Sequence, residues 1–515
     1  MEFVSSIVEK QARLLPEKVA IIDELHTKNI TYSLLFERSK RFANALLNLG
    51  LQPGDRVAMI LSNSYASAEL IYGITMAGMI MVNINERLRE QEIKYILEDS
   101  GTKVVVTSSE FIKLLSNIDV PSLHYTISID GGNCDYLYES LLENSSDFKP
   151  TINKSPQDIA LLLYTSGTTG KPKGVPLSHI NLVKSATNFI IEAIHNQNGT
   201  YLAVMPYYHI VCVPHMAAIL RGMRVVVSKF EVKTVLELIQ KYSITHAFLV
   251  PSMISMLLDS DQLEKYDTSS LEMILYAAAP MPVEILKKAL KQFGSIFCQC
   301  YGSTETSSIV TTLRKEEHVL NGSAEWTERL ASCGKEILNA SIKIVNEDGE
   351  EVGVGQPGEI IVKGENVMKN YWNHEPSEEV IKDGWFHTGD IGKWDQDRFI
   401  YIVDRKKDMI ISGGFNIYPR EVEEVLYRHP AVNEVSVIGI PDKKWGEAVL
   451  AVVVPNLGYQ VTEEEIISFC KEHIAGYKKP SKVEFVDALP RNELGKINKV
   501  LLRKNYWKGH STSVI

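Results

Sequence analysis

Three observations in the sequence predict an α/β protein of more than one domain. Over residues 1–150 strand and helix patterns alternate. Val19-Ala-Ile-Ile22 reads as a strand, Tyr32 to Leu49 as a helix closed by Gly50, and Asp55 to Leu61 and Lys103 to Thr107 as further strands. This βαβα rhythm implies much parallel sheet. Second, 515 residues exceed what one hydrophobic core organises. Third, charges and glycines break the apolar pattern between Tyr401 and Asn416, as at a boundary that few contacts cross. Beyond it a smaller α/β unit resumes. Glu421 to Arg428 is helical with Val422, Val425 and Leu426 on one side. Val435 to Ile440 and Ala448 to Val454 are strands, and Thr462 to Glu465 is a capping box.

The composition is that of an ordinary globular protein, 45% apolar and 23% charged. A net charge of −10 argues against a general nucleic-acid binder. The start, Met1-Glu-Phe-Val-Ser-Ser6, has neither basic residues nor a long apolar run, so no signal peptide is expected. The apolar stretch Ala66 to Ile84 carries Glu69, Asn83 and two glycines, so it reads as a core helix and strand and not as a membrane span. Six scattered cysteines, with Cys298-Gln-Cys300 too close for a zinc knuckle, suggest reduced thiols in a cytoplasmic protein.

The chemistry centres on Leu163-Tyr-Thr-Ser-Gly-Thr-Thr-Gly-Lys-Pro-Lys-Gly174. A buried strand, Asp158 to Leu163, precedes it. Ser178 follows as an N-cap, with apolar residues at Ile180, Val183, Ala186, Ile190 and Ile194 in helical spacing. The loop is therefore expected to join a strand to a helix. Gly167, Gly170 and Gly174 let backbone N–H groups turn inward, Thr165, Ser166, Thr168 and Thr169 add hydroxyls, and Lys171 and Lys173 add positive charge. That set suits a polyphosphate. It is not the common P-loop, because Pro172 stands where that motif needs its second glycine.

This loop resembles the signature of the acyl-adenylate-forming (AMP-binding) superfamily, which includes acyl-CoA synthetases, peptide-synthetase adenylation domains and beetle luciferases. The resemblance extends along nearly the whole chain. It implies a large multi-subdomain N-terminal domain (1–403), a hinge (404–407) and a small mobile C-terminal lid (408–515). It also implies that the loop holds the pyrophosphate half of ATP. Leu275-Tyr-Ala-Ala-Ala-Pro-Met-Pro282 is similar to the adenine-contact turn, through Ala278 and Ala279. Here Tyr276-Ala277 replaces the common Ser-Gly, and the added methyl narrows the space. In Gln299-Cys-Tyr-Gly-Ser-Thr-Glu305 the resemblance sets Tyr301 on adenine, Thr304 at the α-phosphate and Glu305 on Mg²⁺. In Gly384 to Asp390, Asp390 takes the ribose diol, a task its two acceptor oxygens suit, and Arg405 shares the ribose. Lys407 matches the hinge position. In Met205-Pro-Tyr-Tyr-His-Ile210, His209 borders the acyl site, with Val211 to His215 as a further wall. Gly413, Gly414 and Trp445 belong to a coenzyme A tunnel, and Lys496 of Gly495-Lys496 bridges the substrate carboxylate and the α-phosphate.

The implied enzyme is an acid–thiol ligase using ATP, Mg²⁺ and coenzyme A on a small carboxylic acid. A fatty acid of medium to long chain is the first expectation. An arylcarboxylate of the benzoate or coumarate type is the alternative, as is a stand-alone adenylating enzyme loading a carrier protein. Cys300, where many long-chain relatives carry glycine, together with Ala277 points to a shortened pocket, hence to a medium chain or an aryl acid. A homodimer stays open.

Overall fold

The structure, a computed structural model, describes residues 1–165, 172–320, 322, 324–413, 415–491 and 497–507. The βαβα rhythm builds a seven-stranded sheet. Its order is Tyr136–Leu137, Tyr125–Ser128, Thr102–Thr107, Arg56–Ile60, Ile80–Asn83, Ile159–Thr165, Lys173–Ser178. Every neighbouring pair is parallel except the last. Both faces are covered. Val57, Met59, Met81 and Leu161 enter one core, while Ala58, Ile60, Val82 and Leu162 enter another, which is why these strands read as unbroken apolar runs. The stretch from Ala66 to Ile84 is the buried helix Tyr65–Met76 followed by the strand Ile80–Asn83. No described helix is long and apolar enough to cross a membrane.

A second, nine-stranded sheet has a parallel centre. It runs from Val19–Asp23 through Arg224–Val227, Thr200–Ala203, His246–Leu249 and Met273–Tyr276 to Phe297–Tyr301. A third, antiparallel sheet contains Gly358–Gly364, Trp385–Trp394 and Ile400–Arg405. The chain leaves that sheet at Arg405. It joins a fourth at Ile410–Ser412, beside Gly446–Pro455 and Val432–Asp442. The break in apolar pattern thus coincides with the passage from one sheet to another.

One expectation changes. The phosphate-type loop does not lead into a helix. Lys173–Ser178 forms a second strand antiparallel to Ile159–Thr165, with Thr165 opposite Lys173, so the loop is the tip of a hairpin. The expected cap does hold: the Ser178 hydroxyl accepts from the Asn181 amide at the start of the helix His179–Glu192. The short strand was hidden because Pro176 and Gly174 weaken its β pattern. Gly174 is not there to curl the backbone. It pairs with Tyr164, and a Cβ at this position would lie 2.9 Å from the Trp372 Cβ, so its smallness admits that residue.

Just past the third sheet, Lys406–Asp408 makes one turn of 3₁₀ helix. Arg503 clamps it, donating to the Lys407 carbonyl at 3.2 Å and the Asp408 carbonyl at 2.9 Å, and pairing with the Asp408 carboxylate at 3.0 Å. Asp404 is buried one step earlier. It accepts from the Arg405 amide at 2.7 Å and from the Arg420 amide at 2.9 Å. The second bond satisfies a free N–H in the first turn of the helix Pro419–Leu426, so a strand of the third sheet caps a helix that packs on the fourth. Burial pushes the Asp404 carboxyl up to about 6, against the pull of Lys499.

A raised carboxyl pKa means that the folded state binds the proton more tightly than the unfolded chain. Its penalty is fully present above about pH 6 and is relieved as pH falls toward 3.8. Asp404→Asn lacks this titration. Wild-type stability should therefore gain on that of the variant, by about 2 kcal/mol, as pH drops from 7.5 toward 4.5. Melting curves of both proteins across that range check this, and a constant gap would contradict it.

Candidate active site

The site gathers at the carboxyl end of the parallel strand Phe297–Tyr301, where open α/β sheets usually bind their ligands. The Tyr301 hydroxyl donates to Asp390 Oδ2 at 2.8 Å, and Arg405 Nε pairs with Asp390 Oδ1 at 3.0 Å. Asp390 and Arg405 are direct partners on adjacent antiparallel strands, so strand register brings together residues fifteen positions apart. Asp390 holds the Arg405 guanidinium firmly charged, and burial followed by Asp390 drives the Tyr301 hydroxyl far above its usual range.

After Tyr301 the chain makes a tight turn. A Cβ at Gly302 would fall 1.7 Å from the Ser308 carbonyl oxygen, so no other residue fits. Ser307 and Ser308 sit at φ 53° and 110°. Thr304 and Glu305 lie in this turn, and the Thr304 carbonyl accepts from the Ser307 amide at 3.0 Å. Glu305 Oε1 accepts from the Tyr371 hydroxyl at 3.0 Å, and Lys173 Nζ stands 5.1 Å from the centre of the Tyr371 ring. Arg405 lies within electrostatic reach of both Glu305 and Tyr371, which joins the two halves into one cluster.

Both stems of the hairpin loop are anchored. The Tyr164 hydroxyl donates to Asp99 at 2.6 Å, Tyr95 donates to the Pro172 carbonyl at 3.1 Å, and the Trp372 amide donates to the Gly174 carbonyl at 2.8 Å. Thr165 and Lys173 close the base as a β pair. Ser166, Gly167, Thr168, Thr169, Gly414 and Lys496 lie outside the described residues.

Ala278 and Ala279 follow the strand Met273–Tyr276. The sequence places the departure at Ala277, but the strain falls one residue later, with Ala278 at φ 72°. This is the left-handed region, where a Cβ is disfavoured, and such strain gathers at functional turns. Tyr276 itself points into the core and bonds His318 at 2.9 Å.

The aromatic segment before His209 divides. Tyr207 and Tyr208 are buried, while His209 is partly exposed and stacks edge-on against Tyr208 at 4.6 Å. The expected second wall, Val211 to His215, opens the helix Cys212–Arg221. The His215 side chain is wholly buried and bonds Tyr207 at 2.8 Å.

In the C-terminal sheet Gly413 has φ 59°, and its amide donates to the Trp445 carbonyl at 2.8 Å. A Cβ at Gly413 would lie 2.7 Å from the indole. Trp445 is 51% exposed, with Lys444 4.5 Å from its ring, and Phe415, two residues after Gly413, packs against Tyr477, both half exposed. Lys407 lies in the 3₁₀ turn held by Arg503, where burial and then Arg405 lower its pKa.

Sequence reading missed Tyr371 and Trp372. They lie on an irregular segment with no periodicity, and only the adjacency of two aromatics among polar residues could have marked them. Ala278→Gly should relieve the strained φ, offsetting glycine's greater loss of freedom. The expected outcome is stability unchanged or raised by about 1 kcal/mol in denaturant titration, and a clear loss would show that the methyl packs.

Comparison with known proteins agrees with this arrangement. The family described as AMP-binding enzyme matches residues 8–372, and its C-terminal domain matches residues 421–496. Feruloyl-CoA synthase of an Amycolatopsis species is 35% identical over 96% of this chain and 98% of its own. The long-chain-fatty-acid–CoA ligase FadD13 of Mycobacterium tuberculosis is 32% identical over 98% and 99%. Among solved structures, o-succinylbenzoate CoA synthetase from Bacillus subtilis, in complex with its acyl-adenylate intermediate, has a TM-score of 0.83 and 35% identity. It covers 96% of this chain and 97% of that one. The chain belongs to the AMP-binding enzymes and is an acid–thiol ligase of the acyl-CoA synthetase type.

Proposed function

We propose that this protein joins a largely apolar carboxylic acid to coenzyme A in two steps through an acyl-adenylate. The observation that carries the reading is the single cluster made by Tyr301, Asp390, Arg405, Glu305, Tyr371 and Lys173. A carboxylate is a poor electrophile. Its oxygen attacks the α-phosphorus of ATP, pyrophosphate leaves, and the resulting anhydride has AMP as a good leaving group. The thiol sulfur of coenzyme A then displaces AMP at the carbonyl carbon.

In this reading Tyr301 lies along the adenine between Ala278, Ala279 and the third sheet. Asp390 and Arg405 hold the ribose hydroxyls, with the strand pairing fixing their spacing. The loop from Thr165 to Lys173 receives the pyrophosphate, with Ser166, Gly167, Thr168 and Thr169 in it, and Thr304 touches the α-phosphate. Glu305 fits Mg²⁺: its carboxylate is oriented by Tyr371, and one carboxylate shared with phosphate oxygens is this ion's usual setting. When bound, Mg²⁺ would neutralise phosphate charge. His209 borders the acid. Lys496 offsets repulsion between the incoming carboxylate and the α-phosphate.

We place the domain boundary at residue 403, the hinge at 404–407 around Lys407, and the lid at 408–515. The change of sheet between Arg405 and Ile410 supports this. The exposed indole of Trp445 against Gly413, with Lys444 beside it, favours free coenzyme A as acceptor: an aromatic face and a cation suit its adenine and phosphates. Gly414 is assigned to the same coenzyme A tunnel by the family resemblance alone. Relatives of similar identity are named for feruloyl, succinylbenzoate and long-chain acids. The buried Cys300 beside Tyr301 supports a medium-chain or aryl acid over a long chain.

Two measurements test this reading. The first follows AMP and thioester with ATP and Mg²⁺, with and without coenzyme A, across octanoate, palmitate, benzoate and coumarate. CoA-dependent thioester formation with octanoate or an aryl acid ahead is expected. Palmitate far ahead removes the short pocket, and acyl-AMP without transfer points to a carrier protein. The second compares half-reactions of Lys496→Ala. Adenylation should fall at least about 100-fold, with thioester formation from supplied acyl-AMP much less affected, and equal loss in both would refute the assigned role.

A further inference from the structure

Behind the His209 turn, two polar atoms are fully buried and have no hydrogen-bond partner among the described residues. They are His215 Nε2, on the helix Cys212–Arg221, and the Tyr72 hydroxyl, on the helix Tyr65–Met76. Both residues are 0% exposed and their rings are 6.4 Å apart. An unpaired polar atom at such depth costs about 1–3 kcal/mol, so two on neighbouring rings call for an explanation.

Their position continues the site inward. The helix bearing His215 begins where the Cys212 amide donates to the His209 carbonyl. On the other side lies a group of buried tyrosines and Cys300. Cys300, adjoining Tyr301, is an electrostatic neighbour of Tyr201. Tyr201 neighbours Tyr207, and Tyr207 neighbours Tyr72 and bonds His215. Asn63 and Asn83 brace this wall: Asn63 donates to the Ala203 and Met205 carbonyls and accepts from the Tyr207 amide, and Asn83 donates to the Tyr207 carbonyl.

We infer that His215 Nε2 and the Tyr72 hydroxyl form the far end of the acid pocket and read a hydroxyl group carried at the distal end of the acid. This rests on the ligase reading above and names the substrate class within it. A neutral imidazole has one donor and one acceptor nitrogen. Nδ1 is engaged by Tyr207, so Nε2 offers the opposite role, and the tyrosine hydroxyl can take either. A substrate hydroxyl, itself donor and acceptor, matches both tautomers, whereas a carbonyl matches one and a methyl group neither. A distal carboxylate does not fit: burial holds the His215 pKa down at about 3, so the imidazole stays neutral and supplies no charge to pair with.

The pair acts on specificity. A pocket built to hydrogen-bond a hydroxyl rejects the analogue that lacks it far more strongly than an apolar pocket separates chain lengths. The test is the ratio of kcat/KM within matched acids: benzoate and 4-hydroxybenzoate, cinnamate and 4-hydroxycinnamate, octanoate and 8-hydroxyoctanoate. Pyrophosphate release is followed for wild type, Tyr72→Phe and His215→Leu. Wild type should favour the hydroxylated member of the best-used pair by at least about tenfold. Each variant should cut the hydroxylated member by about 10–100-fold more than the plain one, with KM for ATP unmoved. Tyr72→Phe removes one oxygen and preserves packing, so it carries the test if His215→Leu does not fold. Equal use of both members by wild type, as when a buried water satisfies the two atoms, overturns the inference while leaving the ligase intact. So does an equal fall of both members in the variants. Absence of pyrophosphate release with every acid refutes the ligase reading and the inference with it.

Discussion

The Asp390–Arg405 pair is the constraint on which the site depends. It is made across one β ladder, so its geometry is set by backbone hydrogen bonds rather than by side-chain freedom. Two strands of a small antiparallel sheet present the pair to Tyr301, at the end of a parallel strand in a different sheet. The pair therefore joins two sheets as well as two charges. Both Asp390 oxygens are engaged, one by the guanidinium and one by the phenol, so the carboxylate is held in one orientation. Glu305 is tied to the same cluster through Tyr371 and the field of Arg405.

The passage from the third sheet to the fourth is organised by a second ionic network, at greater electrostatic cost. Asp404, Glu423, Lys499, Asp408 and Arg503 lie where the chain changes sheets. Lys499 pairs with Glu423 at 2.8 Å while also drawing on Asp404, so one partly buried cation serves two carboxylates. Asp404 keeps a raised pKa even so, which marks incomplete compensation. A bond that costs this much to keep buried is easily exchanged for solvent.

Much of the fold was legible along the chain. Each buried strand in the first sheet is a short apolar run bounded by polar turns, and helices such as Tyr32–Asn48 and Glu463–His473 announce their ends with caps. The hairpin strand Lys173–Ser178 was not legible, because glycine, proline and lysine conceal a segment whose only strand signal is its partner. Tyr371 and Trp372 escaped for a related reason: their roles come from Glu305, Lys173 and Gly174, all distant in sequence.

The sequence by itself determined the class of enzyme. The glycine-, hydroxyl- and lysine-rich loop, the Tyr-Gly-Ser-Thr-Glu run and the later Asp390, Arg405 and Lys496 each carry a chemical type at a set order, and order survives without coordinates. Only the tertiary structure decided which polar groups lack a partner. In sequence Tyr207 belongs to the Tyr-Tyr-His segment and His215 to the run read as a further wall of the acyl site. In the fold one nitrogen of His215 is spent on Tyr207 and the other is left without a partner, as is the hydroxyl of Tyr72, whose ring lies 6.4 Å away on a different helix. Hydrogen-bond satisfaction is a property of neighbours in space, so no periodicity along the chain could have revealed it.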